Sequence, residues 1–349
     1  MSLRNGTMLC AALSAVFILC GCKSGDEKAP SVLVPRDPQM EWIEVPDGSF
    51  TFGSPYDTPC RGAYTEKQVP VTLTRPFLMA KTEVTQNQWS AMAFPVPGNI
   101  PVCEKCPVHY LNIFDALAWC NALSRFEGLE ECYDLSGCHG DVGTGCGEGV
   151  GICDKPGVYY CSGTTRKYSS IYDCKGYRLP SGAEWEYAAR AGTDTNTYNG
   201  EITNDSAGIC EDEPILNDIA WYCFNTSNSE SGWQPEYIRE VAQKQPNPWG
   251  FYDILGNTRE WVDYVSNGFG LDYVYGETGE MLVDPVGPVE TDNIDRDLRG
   301  GAYYGVGCRV RTGDQFQETA DHRGPGYGFR PVRTLPATSS DAGADSGAK

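Results

Sequence analysis

The chain has 349 residues, 40% of them hydrophobic, which is enough for one large domain with a real core; its 40 glycines and 23 prolines point to many turns and short elements. A formal net charge of −20, with no Lys/Arg cluster to offset it locally, excludes nucleic acid as a partner, because phosphates are repelled by such a surface.

Arg4 precedes an apolar run from Met8 to Leu19 that is too short for a transmembrane helix. The run ends in Leu19-Cys20-Gly21-Cys22, which resembles the lipobox of bacterial lipoproteins. That resemblance implies a signal peptide over residues 1–21, cleavage before Cys22, lipidation of the Cys22 thiol and export to the cell envelope. Lys23, where an aspartate would favour retention at the inner membrane, implies the outer membrane. Residues 22–39 then read as the lipidated cysteine and a flexible tether, 40–335 as a single domain, and 336–349 as a small, polar, disordered tail.

Within the domain, Met40 to Gly53 alternates apolar and polar residues around Pro46-Asp47-Gly48, which predicts a hairpin. Val69 to Ala80 reads as one further strand. Thr85 is placed to cap a helix through Trp89, and Asn112 one running to Arg125, with Phe114, Leu117, Ala118 and Leu123 at helical spacing. Ser181 followed by Glu184 is a capping box for a helix to Ala191. Trp185, Ala188 and Ala189 would face the core there, while Glu184, Glu186 and Arg190 could pair one turn apart.

Thirteen cysteines follow Cys22, and in an oxidising compartment they read as a disulfide framework with at least one thiol left over. Spacing does not give the connectivity. The glycine-rich stretch from Cys132 to Cys174 lacks the apolar residues to pack alone and needs such staples. Cys103-Glu104-Lys105-Cys106 has redox spacing, but no βαβ pattern surrounds it, so one structural bridge or two separate ones are expected.

Six segments together carry a resemblance. They are Met40 to Ser54, with Val45-Pro46-Asp47-Gly48-Ser49-Phe50; Glu83-Val84-Thr85; Gly176-Tyr177-Arg178-Leu179-Pro180-Ser181-Gly182-Ala183-Glu184-Trp185-Glu186-Tyr187-Ala188-Ala189-Arg190; Pro246 to Trp261, with Asp253-Ile254-Leu255-Gly256-Asn257-Thr258-Arg259-Glu260-Trp261; Arg299-Gly300-Gly301-Ala302; and Gly328-Phe329-Arg330. In this order they resemble the formylglycine-generating enzyme, or sulfatase-modifying factor, family over nearly the whole mature chain. The resemblance implies an irregular α+β fold like that of C-type lectins, with little regular secondary structure.

It also implies sites. A structural calcium ion would be held by Asp253, the carbonyls of Gly256 and Thr258, and Glu260; carboxylates and carbonyls are the ligands a hard cation takes. The active members use copper on two cysteines, since soft thiolates suit Cu(I). Here the first of those positions holds Gly305, the motif serine is Ala302, and Arg259 stands where a tryptophan is usual. Cys308 is the one cysteine in the region, so copper enters only if Cys308 finds a second thiol. A related iron-dependent branch needs a histidine cluster, and His109, His139 and His322 are scattered.

The reading is therefore an envelope-anchored, non-catalytic binding or scaffold module for an unknown protein or glycan ligand. Tyr303, Tyr304, Arg309, Arg311, Gln315 and Arg323 are the candidate groove residues, aromatic side chains and arginines being enriched at binding hot spots; Tyr303 is expected to be half-buried. A divergent oxidase that converts a sulfatase cysteine to formylglycine, and a structural lipoprotein of an envelope complex, are the alternatives.

Overall fold

Short elements follow one another along the chain, in a computed structural model that describes residues 34–62, 65–97, 100–144, 158–162, 165–226, 238–265, 280–286 and 295–336. The lipobox with Cys22, the tether up to residue 33, the tail from residue 337, and Cys146 and Cys153 lie outside the described residues. The strands are β1 (Trp42–Val45), β2 (Gly48–Phe52), β3 (Val69–Leu73), β4 (Phe77–Ala80), β5 (Cys138–His139), β6 (Tyr160–Cys161), β7 (Tyr177–Arg178), β8 (Arg259–Val265), β9 (Leu282–Val283), β10 (Asp295–Arg299), β11 (Gln315–Thr319), β12 (Tyr327–Gly328) and β13 (Val332–Thr334). The helices are α1 (Gln86–Ala91), α2 (Ile113–Phe126), α3 (Gly182–Arg190) and α4 (Cys223–Thr226).

Two four-stranded sheets dominate, ordered β1-β4-β13-β7 and β11-β10-β8-β12, beside a three-stranded sheet β2-β3-β9 and the pair β5-β6. The hairpin expected around Pro46-Asp47-Gly48 does not form. β1 pairs with β4 and β2 with β3, so the turn sends consecutive strands into different sheets. The single strand expected from Val69 to Ala80 is likewise two, divided at Thr74-Arg75-Pro76, where Pro76 has no N–H to continue a ladder.

The helix starts follow local chemistry. Thr85, Asn112 and Ser181 are the N-caps of α1, α2 and α3, and each closes a reciprocal capping box with Gln88, Asp115 and Glu184. Every residue of α3 is buried. A helix hidden on all sides belongs to the core rather than to one face of it, and its charged residues must then find partners inside.

The interior has two hydrophobic clusters, and β8 runs between them. Alternate side chains of a strand point to opposite faces, so Trp261 joins one cluster with Trp89, Trp119 and Phe329, while Val262 joins the other with Trp185, Phe77 and Tyr222. β10 repeats the pattern, with Leu298 on the Trp261 side and Arg299 over the rings of Phe52 and Trp185.

Among the described residues five disulfides staple the fold: Cys60–Cys308, Cys103–Cys106, Cys132–Cys174, Cys138–Cys161 and Cys210–Cys223. Cys103 and Cys106 thus form one local bridge. Cys120, on α2, is the free cysteine among the described residues, and it is buried.

Arginine–carboxylate pairs tie the elements where hydrogen-bonded ladders are short. Arg178 makes two bonds of 2.7 Å to Glu184, and Arg190 and Arg299 share Glu186 at 2.7 and 2.5 Å. The expected helical pairing therefore holds for Glu186 and Arg190, whereas Glu184 turns to Arg178. Arg330 grips Glu260 with Nε and Nη2, both at 2.7 Å, and its other hydrogens reach the carbonyls of Ala80, Lys81 and Tyr252. Removing one partner of a buried pair strands the other charge, which costs about 3–5 kcal/mol. Arg330→Met should lower the melting temperature by roughly ten degrees or more, and Arg330→Met/Glu260→Gln should recover part of that loss in calorimetry. A variant that melts with the native protein would show that Arg330 bears no such load.

Candidate functional site

The turn from Asp253 to Glu260 leads into β8 and carries the expected calcium residues. Asp253 and Asn257 adopt left-handed backbone conformations, with φ of 51° and 53°. Gly256 has φ of 82°, and a Cβ there would stand 2.4 Å from the carbonyl oxygen of Trp221. Only glycine lets the turn close against that strand-like segment.

Asp253 is buried. Its Oδ2 accepts the Ala242 amide at 2.6 Å, while its Oδ1 has no protein donor. Burial pushes its pKa up to about 6 despite that amide and Arg330. Glu83 is likewise held well above the ordinary carboxylate range, by burial first and then by the charge of Asp253. Glu83 Oε1 accepts the Thr258 N–H and hydroxyl at 3.3 and 3.1 Å, and its Oε2 is buried without a donor.

Two orphaned carboxylate oxygens beside a glycine turn fit a hard cation. Glu260 departs from the expected role, because both its oxygens are engaged by Arg330 and Oε2 also accepts the Trp185 indole N–H at 2.7 Å. Among the described residues no three His, Cys, Asp or Glu side chains form a group able to hold a metal ion by themselves. Backbone carbonyls, those of Gly256 and Thr258 in the expected set, would have to complete any shell. Glu83 is the residue that sequence reading missed here. Its place beside Thr258 comes from a contact across 175 residues, which no local motif announces.

The second part of the site surrounds Ala302 to Asp314. Cys308 is bridged to Cys60 and packs in the cluster that holds Val310 and Tyr222, whereas free Cys120 lies in the other cluster. Burial raises the Cys120 thiol far above its usual range, which keeps it protonated and a poor metal ligand. A Cβ at Gly305 would lie 3.1 Å from the Ala302 carbonyl oxygen, the neighbouring turn filling the place of a side chain.

The expected groove residues divide. Tyr303 and Tyr304 are half-buried and meet edge to face, with ring centroids 5.1 Å apart. Arg309 is 39% exposed and donates to Asp314 at 3.2 Å, and Gln315 begins β11. Arg311 and Arg323 do not face solvent, which corrects the sequence reading. Arg311 pairs with both oxygens of Glu66 at 2.7 and 3.0 Å, and Arg323 pairs with Asp115, the capping-box partner of Asn112 in α2. An arginine in a short motif looks alike on a surface or in a core, and only the folded partner decides.

Arg309, Asp314, Gln315, Phe316 and Gln317 instead line an open cleft of about 340 Å³ together with Arg259. The Arg259 guanidinium lies 4.0 Å over the Phe316 ring and donates to the Tyr304 hydroxyl at 3.3 Å.

The sequence matches the sulfatase-modifying factor enzyme 1-like domain, FGE-sulfatase, over residues 30–335, and the chain belongs to that family. It is 30% identical over 207 residues to "Chaperone protein LppX" of Paenibacillus barcinonensis, covering 58% of this chain and 65% of that protein, so it spans just under two thirds of that relative. The formylglycine-generating enzyme of Streptomyces coelicolor is 27% identical over 313 residues, covering 86% of this chain and 91% of the enzyme. Among solved structures, Treponema denticola variable protein 1 superposes with a TM-score of 0.58 at 26% identity, over 84% of this chain and 95% of its own. PvdO from Pseudomonas aeruginosa shares the fold, with a TM-score of 0.57 at 20% identity over 86% and 96% of the two chains.

His109 supports the aromatic pair from below. It is buried, its Nδ1 accepts the Gly326 amide at 3.2 Å, and Gly326 abuts Tyr303 and Tyr304. Burial lowers its pKa to about 4 from 6.5. The folded chain therefore resists a proton that the unfolded chain accepts, so the stability His109 provides is present above pH 6.5 and is lost as pH falls towards 4. The stability difference between the native protein and His109→Gln should shrink by about 3 kcal/mol between neutral pH and pH 4. Denaturant unfolding across that window measures it, and a constant difference would contradict it.

Proposed function

We propose that this chain is a non-catalytic binding module of the bacterial cell envelope, held to the membrane by a lipid on Cys22 and stabilised by a calcium ion. The observation that carries the first half is the Cys60–Cys308 disulfide. The oxidase chemistry of active relatives needs two thiolates for copper. Here Gly305 occupies one position, and the other candidate, Cys308, is consumed in a bridge. What remains is a family frame with an arginine-bearing cleft, and function in such a case lies in the site rather than in the fold.

The lipobox resemblance supports the anchor, outer-membrane sorting included, and no helix of the described residues is long and apolar enough to cross a membrane. The name of the Paenibacillus relative, a chaperone protein, favours a polypeptide over a glycan as ligand.

The thiol and copper chemistry tests the catalytic question. Alkylation of the unreduced protein, followed by peptide mass mapping, should leave Cys60 and Cys308 unmodified. Cu(I) should show no stoichiometric site, and a sulfatase-derived cysteine peptide should stay unoxidised. Stoichiometric copper at a free Cys308, with formylglycine product, would establish the oxidase reading instead. Cys308→Ser should lower stability by about 2–5 kcal/mol through loss of the bridge.

Calcium would be held by Asp253 and the carbonyls of Gly256 and Thr258, with Glu83 Oε2 lacking a protein donor where both Glu260 oxygens are engaged by Arg330. Its role there is to neutralise buried carboxylates. Chelation should lower the melting temperature by several degrees, restored by calcium in excess. Asp253→Asn should abolish the calcium dependence while keeping the fold. Identical melting with chelator and with calcium would remove the ion from the proposal.

A further inference from the structure

Three side chains that line the cleft at Arg259 carry a buried donor without a protein acceptor. Arg259 is 8% exposed, and its Nε is a buried donor without a protein acceptor. Gln315 Nε2 and Gln317 Nε2, both from β11, are buried donors in the same condition. Leaving a buried donor unpaired is unfavourable, and here Arg259 Nε on the Phe316 face of β11 and the two glutamine amides on its other face leave the strand short of acceptors on both sides.

Charge points the same way. Three guanidiniums, those of Arg259, Arg309 and Arg311, stand around two carboxylates. Glu66 is spent on Arg311, and Asp314 accepts from Arg309 and Arg311. Arg259 has a tyrosine hydroxyl and an aromatic face but no carboxylate partner. Arg259 is thus the guanidinium of the three without a carboxylate of its own, the position where a ligand's single carboxylate would fit. Glu318, further along β11, makes its hydrogen bonds to His322 and Tyr327 rather than to Arg259.

The backbone specifies the rest of the ligand. β11 is an outer strand of its sheet, paired on one side with β10, and no other described strand pairs with it. Consecutive residues of a strand point to opposite faces. A cleft lined by Gln315, Phe316 and Gln317 in succession thus runs along the strand's free edge. An extended polypeptide can add to such an edge through main-chain hydrogen bonds while a neighbouring cation takes its carboxylate.

We infer that the β11 edge and Arg259 together form a docking site for an extended polypeptide that presents one carboxylate, its C-terminus or an acidic side chain, to the Arg259 guanidinium. This rests on the binding-module reading and specifies its ligand.

The test uses the purified chain and an octapeptide pool of Val, Thr, Ser and Ala with a free C-terminal carboxylate, compared with the same pool amidated. Calorimetry should show the acid binding at least about ten-fold tighter, the effect of a lost hydrogen bond to a charged group. Arg259→Met should erase that difference, and the Arg259 Nε–H NMR resonance of the native protein should move on binding. The resonance keeps the test decisive if Arg259→Met fails to fold. An amidated pool with one internal Asp that binds like the acid would also support the site, with a side chain as the carboxylate source. Equal binding of acid and amide, or an unmoved Nε–H resonance, would overturn the inference. So would full competition by acetate at equal concentration, which would mean a small-carboxylate site without strand addition. None of these results depends on the copper experiment, so the ligand and the non-catalytic reading can fail separately.

Discussion

The guanidinium of Arg330 holds one carboxylate and three backbone carbonyls at once. Its bonds to Glu260 fix the start of β8, those to Ala80 and Lys81 fix the end of β4, and the one to Tyr252 fixes the turn before Asp253. Glu260 passes the restraint on to α3 by accepting the Trp185 indole. In a fold whose strands are mostly two to five residues long, ladders alone cannot set the relative positions of the sheets. Bidentate arginine–carboxylate pairs do so, because each has one geometry that satisfies both ions and would be strongly unfavourable half-made.

Arg311 grips both oxygens of Glu66 in the same way, while Arg323 on Asp115 and Arg299 with Arg190 on Glu186 make further buried pairs. Each joins segments distant in sequence or locks a helix terminus into the core. Family motifs rich in arginine and glutamate therefore serve the frame here, and the side chains that remain for binding are those the frame leaves unpaired.

Arg259 illustrates the division. It sits one residue before Glu260 on the same strand, yet alternation sends it to the opposite face, over Phe316 and towards the cleft. Glu260 is completely enclosed by Arg330 and Trp185, while Arg259 keeps a donor without a protein acceptor. Adjacent positions of one motif thus hold the molecule together and line its open cleft.

What the sequence determined by itself was local. Thr85, Asn112 and Ser181 were recognisable as caps because their partners lie three residues on, and the ordered motifs specified the family and an irregular α+β fold. The pairing of Cys60 with Cys308, 248 residues apart, was not legible, since spacing leaves connectivity open. Nor was the burial of Arg311 and Arg323, nor the approach of Glu83 to Thr258. The turn at Pro46-Asp47-Gly48 was visible, but which strands it would separate was not, because strand partners are chosen by the whole sheet. Tertiary structure decided these points for one reason: a charge or a thiol has no fixed role until folding sets its dielectric surroundings and supplies its partner.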